Sequence, residues 1–377
     1  MHSEKLEIRI PALKLLIAAL VLITPICLVG LISISRADRA VATTVGTHFR
    51  VFAEISASEV SGFIHDSVMD VGVMAMQSDI VAAVVAANKA YEGKAESTIE
   101  REIQNTEKIW ATSAAQPLVS RILSSPASRS LRKHREIDKR FLRMTVTDAR
   151  GVTVAASHKT LDYYQADEEF WQNIYAGGRG SISLTDVLYD SLTKSQYIGI
   201  GVPILEEQSN RFIGALDVLL DVSSILPVVQ RMQLGPSSRL MLVKEDGTVI
   251  ASPRINLAMN MKSAEYAAVK DSASTASGIH TGYVVADMPN GEKDVIGFAD
   301  TGLKKDYGNL GWMVLAAQNT RESFAPVRAV GRWLALMSLL GLIAVTVFGV
   351  YVSLHRKSTY PHVTATEGPG SVRSASA

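Results

Sequence analysis

A pattern that occurs twice constrains this chain more than any other feature. Met144-Thr145-Val146-Thr147-Asp148-Ala149-Arg150-Gly151-Val152-Thr153-Val154-Ala155-Ala156-Ser157 reads as two β-branched strands joined by an Asp-x-x-Gly turn, where glycine tolerates the positive φ a tight hairpin needs. Leu240-Met241-Leu242-Val243-Lys244-Glu245-Asp246-Gly247-Thr248-Val249-Ile250-Ala251-Ser252 repeats it. The strand Tyr197-Ile198-Gly199-Ile200 recurs as Val295-Ile296-Gly297-Phe298, and Ile213-Gly214-Ala215-Leu216 as Leu310-Gly311-Trp312-Met313. Matching Gly151 to Gly247, Gly199 to Gly297 and Gly214 to Gly311 gives offsets of 96, 98 and 97. Three offsets so close argue for a duplicated module. The second copy adds its own hairpin signal at Asn290-Gly291.

Two uncharged runs bracket the repeats. Leu15–Ser35 and Trp333–Leu354 each carry no charge, and a span of about 20 apolar residues is what a bilayer core requires. Lys5, Arg9 and Lys14 precede the first run; His355, Arg356 and Lys357 follow the second. Basic flanks mark the cytoplasmic side, which predicts a two-pass membrane protein with both ends inside and its body outside. The expected boundaries are 1–14, a cytoplasmic N-terminus; 15–35, the first transmembrane helix; 36–140, a long helical spine; 141–230, the membrane-distal module; 231–328, the membrane-proximal module; 333–354, the second transmembrane helix; and 355–377, a short disordered cytoplasmic tail.

Val60, Ile64, Val68 and Val71 fall at helical spacing, so a long helix is expected from Ala37 to about Asn88. It is long enough to serve as a spine for both modules or to form a homodimer. A second helical stretch, Glu96–Ala115, ends before Pro117 and the Ser124-Ser125-Pro126 cluster. The net charge of +1 gives no electrostatic reason to expect nucleic acid. Cys27 is alone, which excludes a disulfide framework. The histidines have no i, i+3 or i+4 pair that would hold a metal on a helix. No Gly-x-Ser-x-Gly elbow, phosphate loop or kinase signature is present. No catalytic residue, cofactor or metal is expected, and the chain is not read as an enzyme.

Two α/β modules on a long N-terminal helix, bracketed by two membrane spans, resemble the double Cache (PAS-like) sensor region of bacterial chemoreceptors, sensor kinases and cyclases. The resemblance implies an α+β fold of two tandem Cache modules, with a small molecule held between the distal sheet and its capping loop. Amino-acid-binding members carry a Tyr, an Arg five residues on, a Trp two beyond, then a Tyr and a last-strand Asp. Tyr164 and Trp171 fit that spacing, but Glu169 stands where the Arg would be and the last-strand Asp position falls near Leu219. Glutamate cannot pair with a ligand carboxylate, so amino-acid binding is not carried over.

Read for its own chemistry, the loop Asp167-Glu168-Glu169 beside Tyr164, Phe170 and Trp171 suits a cation, with aromatic faces adding about 0.5–2 kcal/mol of attraction. The candidate ligand-binding residues are Tyr164, Glu169, Trp171, Tyr189, Asp190 and Asp217, and the ligand is expected to be amine-like. The bland alternative puts the acids on a solvated loop and the aromatics in the sheet's packing. Function is then expected to be extracytoplasmic sensing passed to the second span. Arg356-Lys357-Ser358-Thr359-Tyr360-Pro361 resembles the start of a HAMP linker, yet no heptad pattern follows. Output is therefore expected to be missing or supplied by a separate cytoplasmic signalling protein. The alternative is a membrane-anchored binding or scaffold protein of the envelope with no signalling role.

Overall fold

The computed structural model describes residues 5–7, 12–190, 195–227, 235–252, 261–273, 281–355 and 359–361. It divides into two units, one of residues 1–43 with 324–377 and one of residues 44–323.

The first unit holds the N-terminal part of helix α1 (Ala12–Ala75), which contains the uncharged run 15–35, and the helix Ala325–His355. Within the latter, Ala329–Tyr351 is long and apolar enough to cross a membrane. It is the one candidate span found as a single unbent helix among the described residues, so the expected flanking pair is matched here on one side. Strand β1 (Lys5–Glu7) pairs antiparallel with Thr359–Pro361. Residues 356–358 and 362–377 of the expected tail lie outside the described residues.

The second unit is α+β, with two antiparallel sheets built the same way. The distal sheet uses β2 (Phe141–Asp148), β3 (Thr153–Ala156), β4 (Ser183–Leu184), β5 (Leu188–Asp190), β6 (Ser195–Leu205) and β7 (Phe212–Asp221), in the order β3-β2-β7-β6-β4, with β5 also on β6. The proximal sheet uses β8 (Arg239–Lys244), β9 (Val249–Ala251), β10 (Thr281–Asp287), β11 (Lys293–Asp300) and β12 (Trp312–Asn319), in the order β9-β8-β12-β11-β10. The two orders superimpose strand for strand. Both opening hairpins turn on a glycine in the left-handed region, Gly151 at φ 80° and Gly247 at φ 83°. In the first, the Asp148 carboxylate accepts from the amides of Arg150 and Val152, at 2.9 and 3.1 Å, which closes the turn.

The ladders correct the residue-level match. Asp148 pairs with Gly214 on β7, whereas its counterpart Lys244 pairs with Trp312 on β12. Gly214 therefore corresponds to Trp312 and not to Gly311. Likewise Gly199 opposes Leu219, and Ile296 opposes Ala317, so Gly199 corresponds to Ile296 and not to Gly297. A one-residue slip moves a side chain to the other face of a sheet, and the two glycines indeed face different partners.

Helix α1 is the spine of this unit. Phe49, Ala53, Ala57, Val60, Ile64, Val68, Val71 and Ala75 recur every three or four residues and are all buried, one stripe of a helix turned to the core. Its early turns serve the proximal sheet and its later turns the distal module: Glu54 accepts from Thr281 Oγ1 at 2.8 Å, and Asp70 pairs with Arg140 at 3.0 Å. The expected helix to Asn88 is broken after Ala75 by a bend of 59°, and α2 (Ser78–Lys89) follows. No Gly or Pro causes the bend. The Gln77 side chain is held by Ser130 and His134 of α5 (Pro126–Ile137), at 3.2 and 2.7 Å. Helices α3 (Glu96–Trp110) and α4 (Gln116–Ser124) lie between; Pro117 and Pro126 stand at helix starts, where a missing N–H costs nothing.

Gly297 is where spine and proximal sheet touch: a Cβ there would stand 2.1 Å from the carbonyl carbon of Phe49. Gly297→Ala is expected to destabilise by about 1–3 kcal/mol, since backbone cannot yield as a side chain does. Gly62→Ala, whose Cβ meets nothing within 4 Å, is expected to be neutral or to stabilise by up to about 1 kcal/mol. Urea denaturation of both variants checks the contrast.

Candidate functional site

The distal module encloses a cavity of about 650 Å³. Its floor is one face of the sheet. The ladder sets Arg143 opposite Leu219 and Thr145 opposite Asp217, with Gly199 beside Leu219, and all five line the space. Tyr197, two residues before Gly199 on β6, joins them. The roof is the segment 160–165 and the start of α6 (Glu169–Tyr175). One wall is Leu184–Leu188, and Asn309 of the proximal module completes the lining.

Two glycines let the cap approach β6 closely, and Gly199 also lines the cavity. Gly199 and Gly201 point from β6 toward the cap: a Cβ on the first would meet Thr185 Oγ1 at 3.1 Å, and one on the second Ile174 Cδ1 at 2.3 Å. The ladders give their proximal counterparts as Ile296 and Phe298. Those two side chains pack with Met241, Val269 and Leu315 into a continuous apolar core. Among the described residues, this face of the sheet is thus packed with side chains in one copy and lines a cavity in the other.

Charge follows the same division. In the proximal module Arg239 donates from Nε to Glu265 Oε1 at 2.7 Å and from Nη2 to Asp294, while Ser263 Oγ donates to the other Glu265 oxygen at 2.8 Å. Burial alone would raise Glu265, but Arg239 and Ser263 hold its carboxyl below the usual range. The guanidinium is clamped between the capping helix and the sheet. Its distal counterpart is Arg143, and Tyr197 stands in the place of Asp294. Arg143 is 3.6 Å from Asp190 Oδ1, too far for a hydrogen bond. Among the described residues its buried Nη1 has no hydrogen-bond partner.

Asp217 sits on the floor near this cation. Burial raises its carboxyl to about 6, against the opposing effect of Arg143. The Glu168 carboxyl is pushed up by burial and by the neighbouring Asp167 and Asp162. Burial and the Asp217 charge push up the Tyr197 phenol. Among the described residues, the lining holds the carboxylates of Asp162, Glu168, Glu169, Asp186 and Asp217 and the guanidinium of Arg143, and the Asp186 carboxylate is paired with Lys244 at 2.9 Å. The described lining is acidic.

Of the six residues singled out from the sequence, Glu169 and Asp217 line this cavity. Asp190 is buried behind Arg143. Tyr189 is exposed on β5. Trp171 is 3% exposed and stacks on Tyr175 at 5.1 Å, meets Phe212 edge-on at 5.8 Å, and donates from Nε1 to Thr147 Oγ1 at 2.9 Å. Tyr164 packs against the same aromatic cluster. These two aromatics seat the cap on the sheet and are not on the cavity wall. Sequence reasoning missed Arg143, Tyr197 and Asn309. The signal for Arg143 was present: a lone cation in an apolar strand, two residues from Thr145 and so on the same face.

The chain belongs to the Cache domain family, in its double (dCache) form: the family model matches residues 74–327. Among solved structures, it is similar to the ligand-binding domain of the Pseudomonas aeruginosa amino acid chemoreceptor PctB in complex with L-Arg, at 15% identity and a TM-score of 0.44, covering 74% of this chain and 97% of that one. The ligand-binding domain of the Campylobacter jejuni chemoreceptor Tlp3 with L-norvaline matches at 11% identity and 0.47, covering 75% and 94%. That of the Pseudomonas fluorescens chemoreceptor CtaA with L-leucine matches at 13% and 0.47, covering 76% and 99%. No curated protein sequence matches the chain.

Proposed function

We propose that this protein is an extracytoplasmic sensor, not an enzyme, whose distal cavity binds a small dipolar amine carrying one anionic group and an excess of positive charge. The observation that carries the reading is the placement of Arg143, whose Nη1 has no hydrogen-bond partner among the described residues and lies 3.6 Å from Asp190, beside Asp217 on one floor beneath an acidic roof. Arg143 takes the ligand's carboxylate, as guanidinium does in strong charge-assisted pairs. Asp217, with Glu168 and Glu169 at the roof, takes its ammonium groups. The helix span 329–351 supports anchoring in a bacterial inner membrane with 44–323 outside, and the strand pairing of Lys5–Glu7 with Thr359–Pro361 supports two ends on one side of it. Closure of α6 on the ligand then biases β12, which leads through Thr320–Ser323 into Ala325–His355. The exposed apolar residues Phe52, Ile55, Met69 and Val73 of α1, with Met76 just after it, support a homodimer along the spine.

The test is ligand-induced thermal shift on the full chain in detergent, with L-lysine, 6-aminohexanoate, cadaverine and glutarate. Binding to the folded state alone stabilises by about 2.7 kcal/mol at a hundredfold excess over Kd. L-lysine is expected to give the largest shift, 6-aminohexanoate a smaller one, cadaverine less again, and glutarate none. A shift with glutarate alone overturns the ligand class; no shift with any of the four favours a scaffold.

A further inference from the structure

The cavity wall that is not part of the sheet floor belongs to both modules. Leu184–Leu188 runs along the distal cavity, and Leu184, Thr185, Asp186 and Leu188 line it. Its two ends are held on the distal sheet, where Leu184 of β4 and Leu188 of β5 pair with β6, and its middle is held by the other module. Asp186 accepts at Oδ1 from Trp312 Nε1 at 3.0 Å and pairs at Oδ2 with Lys244 Nζ at 2.9 Å. Lys244 Nζ also donates to the Val187 carbonyl at 3.1 Å, and Asn309 Nδ2 to the Leu184 carbonyl at 3.4 Å. All three donors are proximal residues: Lys244 ends β8, Trp312 begins β12, and Asn309 lies just before β12. On the cavity side Thr185 Oγ1 accepts from the Gly199 amide at 2.8 Å and the Thr185 amide donates back to the Gly199 carbonyl at 2.9 Å.

We infer that Leu184–Leu188 is a shared wall through which the proximal sheet reads the distal cavity, with Asp186 as the positioning residue that ties cavity to sheet. The inference rests on the distal cavity being the ligand site, but not on which ligand fills it. Trp312 is buried and outside the cavity lining, so it has no direct contact with a cavity occupant. Any displacement of Thr185 by an occupant reaches it through the adjacent Asp186 carboxylate. Trp312 is the first residue of β12, so what moves there enters the last strand of the sensor. Three proximal donors on one five-residue stretch also mean that the distal site lacks part of its wall without the second module. Asn309 lines the cavity itself.

A glycine substitution replaces the ligand in the test. Gly199→Ala places a methyl 3.1 Å from Thr185 Oγ1 and 3.3 Å from its Cγ2, so the wall must yield by a few tenths of an ångström from inside the cavity. The full chain labelled with 5-fluorotryptophan gives one ¹⁹F resonance for each of Trp110, Trp171, Trp312 and Trp333, assigned by single Trp→Phe variants. Gly199→Ala is expected to move the Trp312 resonance. The same change made on top of Asp186→Ala is expected to leave Trp312 where Asp186→Ala alone puts it. Asp186→Asn, which keeps the acceptor for Trp312 and loses the charge pair with Lys244, is expected to restore the response; Asp186→Leu, close in size and without an acceptor, serves in place of Asp186→Ala if that variant unfolds. A Trp312 resonance that ignores Gly199→Ala overturns the inference, as does one that still follows it without Asp186. Neither result depends on the thermal-shift panel, so failure of the relay and failure of the proposed ligand are told apart.

Discussion

Asp217→Asn is expected to stabilise the protein above pH 6 while removing its ligand. Burial holds the Asp217 carboxyl at about 6 in the folded state, against an ordinary 3.8. A carboxyl raised in this way favours the folded state when protonated. Its contribution is fully present below pH 3.8 and is lost as pH rises through about 6. At pH 7.5 the wild type therefore carries an ionised group in an unfavourable place, at a cost of up to about 3 kcal/mol by the size of the shift. Asparagine is isosteric and uncharged, so the gain should appear at pH 7.5 and vanish near pH 4. Urea denaturation at the two pH values measures it. A variant less stable than wild type at both would mean that the Asp217 charge is compensated by Arg143 and contributes to stability. A residue whose removal stabilises the fold is retained for something other than stability.

Trp171→Ala is expected to cost about 3–5 kcal/mol, the range for emptying a buried large aromatic site. The indole stacks on Tyr175, meets Phe212 edge-on and donates to Thr147, so its loss unseats α6 from the sheet. Trp171→Phe keeps most of the packing and forfeits the hydrogen bond, at a net of about 1 kcal/mol, and should still bind ligand. The sequence pattern places the Trp171 ring against the ligand's cation. The structure leads to a different split between stability and binding. If Trp171→Ala unfolded at the same urea concentration as wild type yet lost its ligand, the indole would belong to the binding surface.

The parts of this molecule that depend on pattern were open to reading from residues alone. The Val60, Ile64, Val68 and Val71 stripe is buried as helical spacing requires, and Gly151 and Gly247 mark equivalent turns because both need positive φ. What depends on register was hidden. Matching glycine to glycine set Gly199 against Gly297, because a shared residue type is visible and a facing direction is not. The ladders put Ile296 opposite that choice, and with it came the reason this face is packed among the described residues of one module and lines a cavity in the other. The bend at Gln77 has no local signal, since it is held by Ser130 and His134, more than fifty positions away. The cap residues lie on the segment that roofs the cavity, but aromatics next to acids have two uses. Here the aromatics Trp171 and Tyr164 pack, and the acids Glu168 and Glu169 face the cavity. Arg143 has no motif to mark it: the related motif has its arginine in the cap loop, while this chain carries a buried cation on β2.

The measurement that bears most directly on the account is isothermal titration of the full chain with L-lysine at pH 5 and pH 7.5, on wild type and Asp217→Asn. A cationic ligand needs the ionised carboxylate, and apparent affinity scales with the fraction in the competent state. With Asp217 titrating at about 6, wild-type affinity should rise about tenfold from pH 5 to pH 7.5, and Asp217→Asn should bind at neither. Equal heats and affinities from wild type and Asp217→Asn would contradict the assignment of the distal cavity as an amine site.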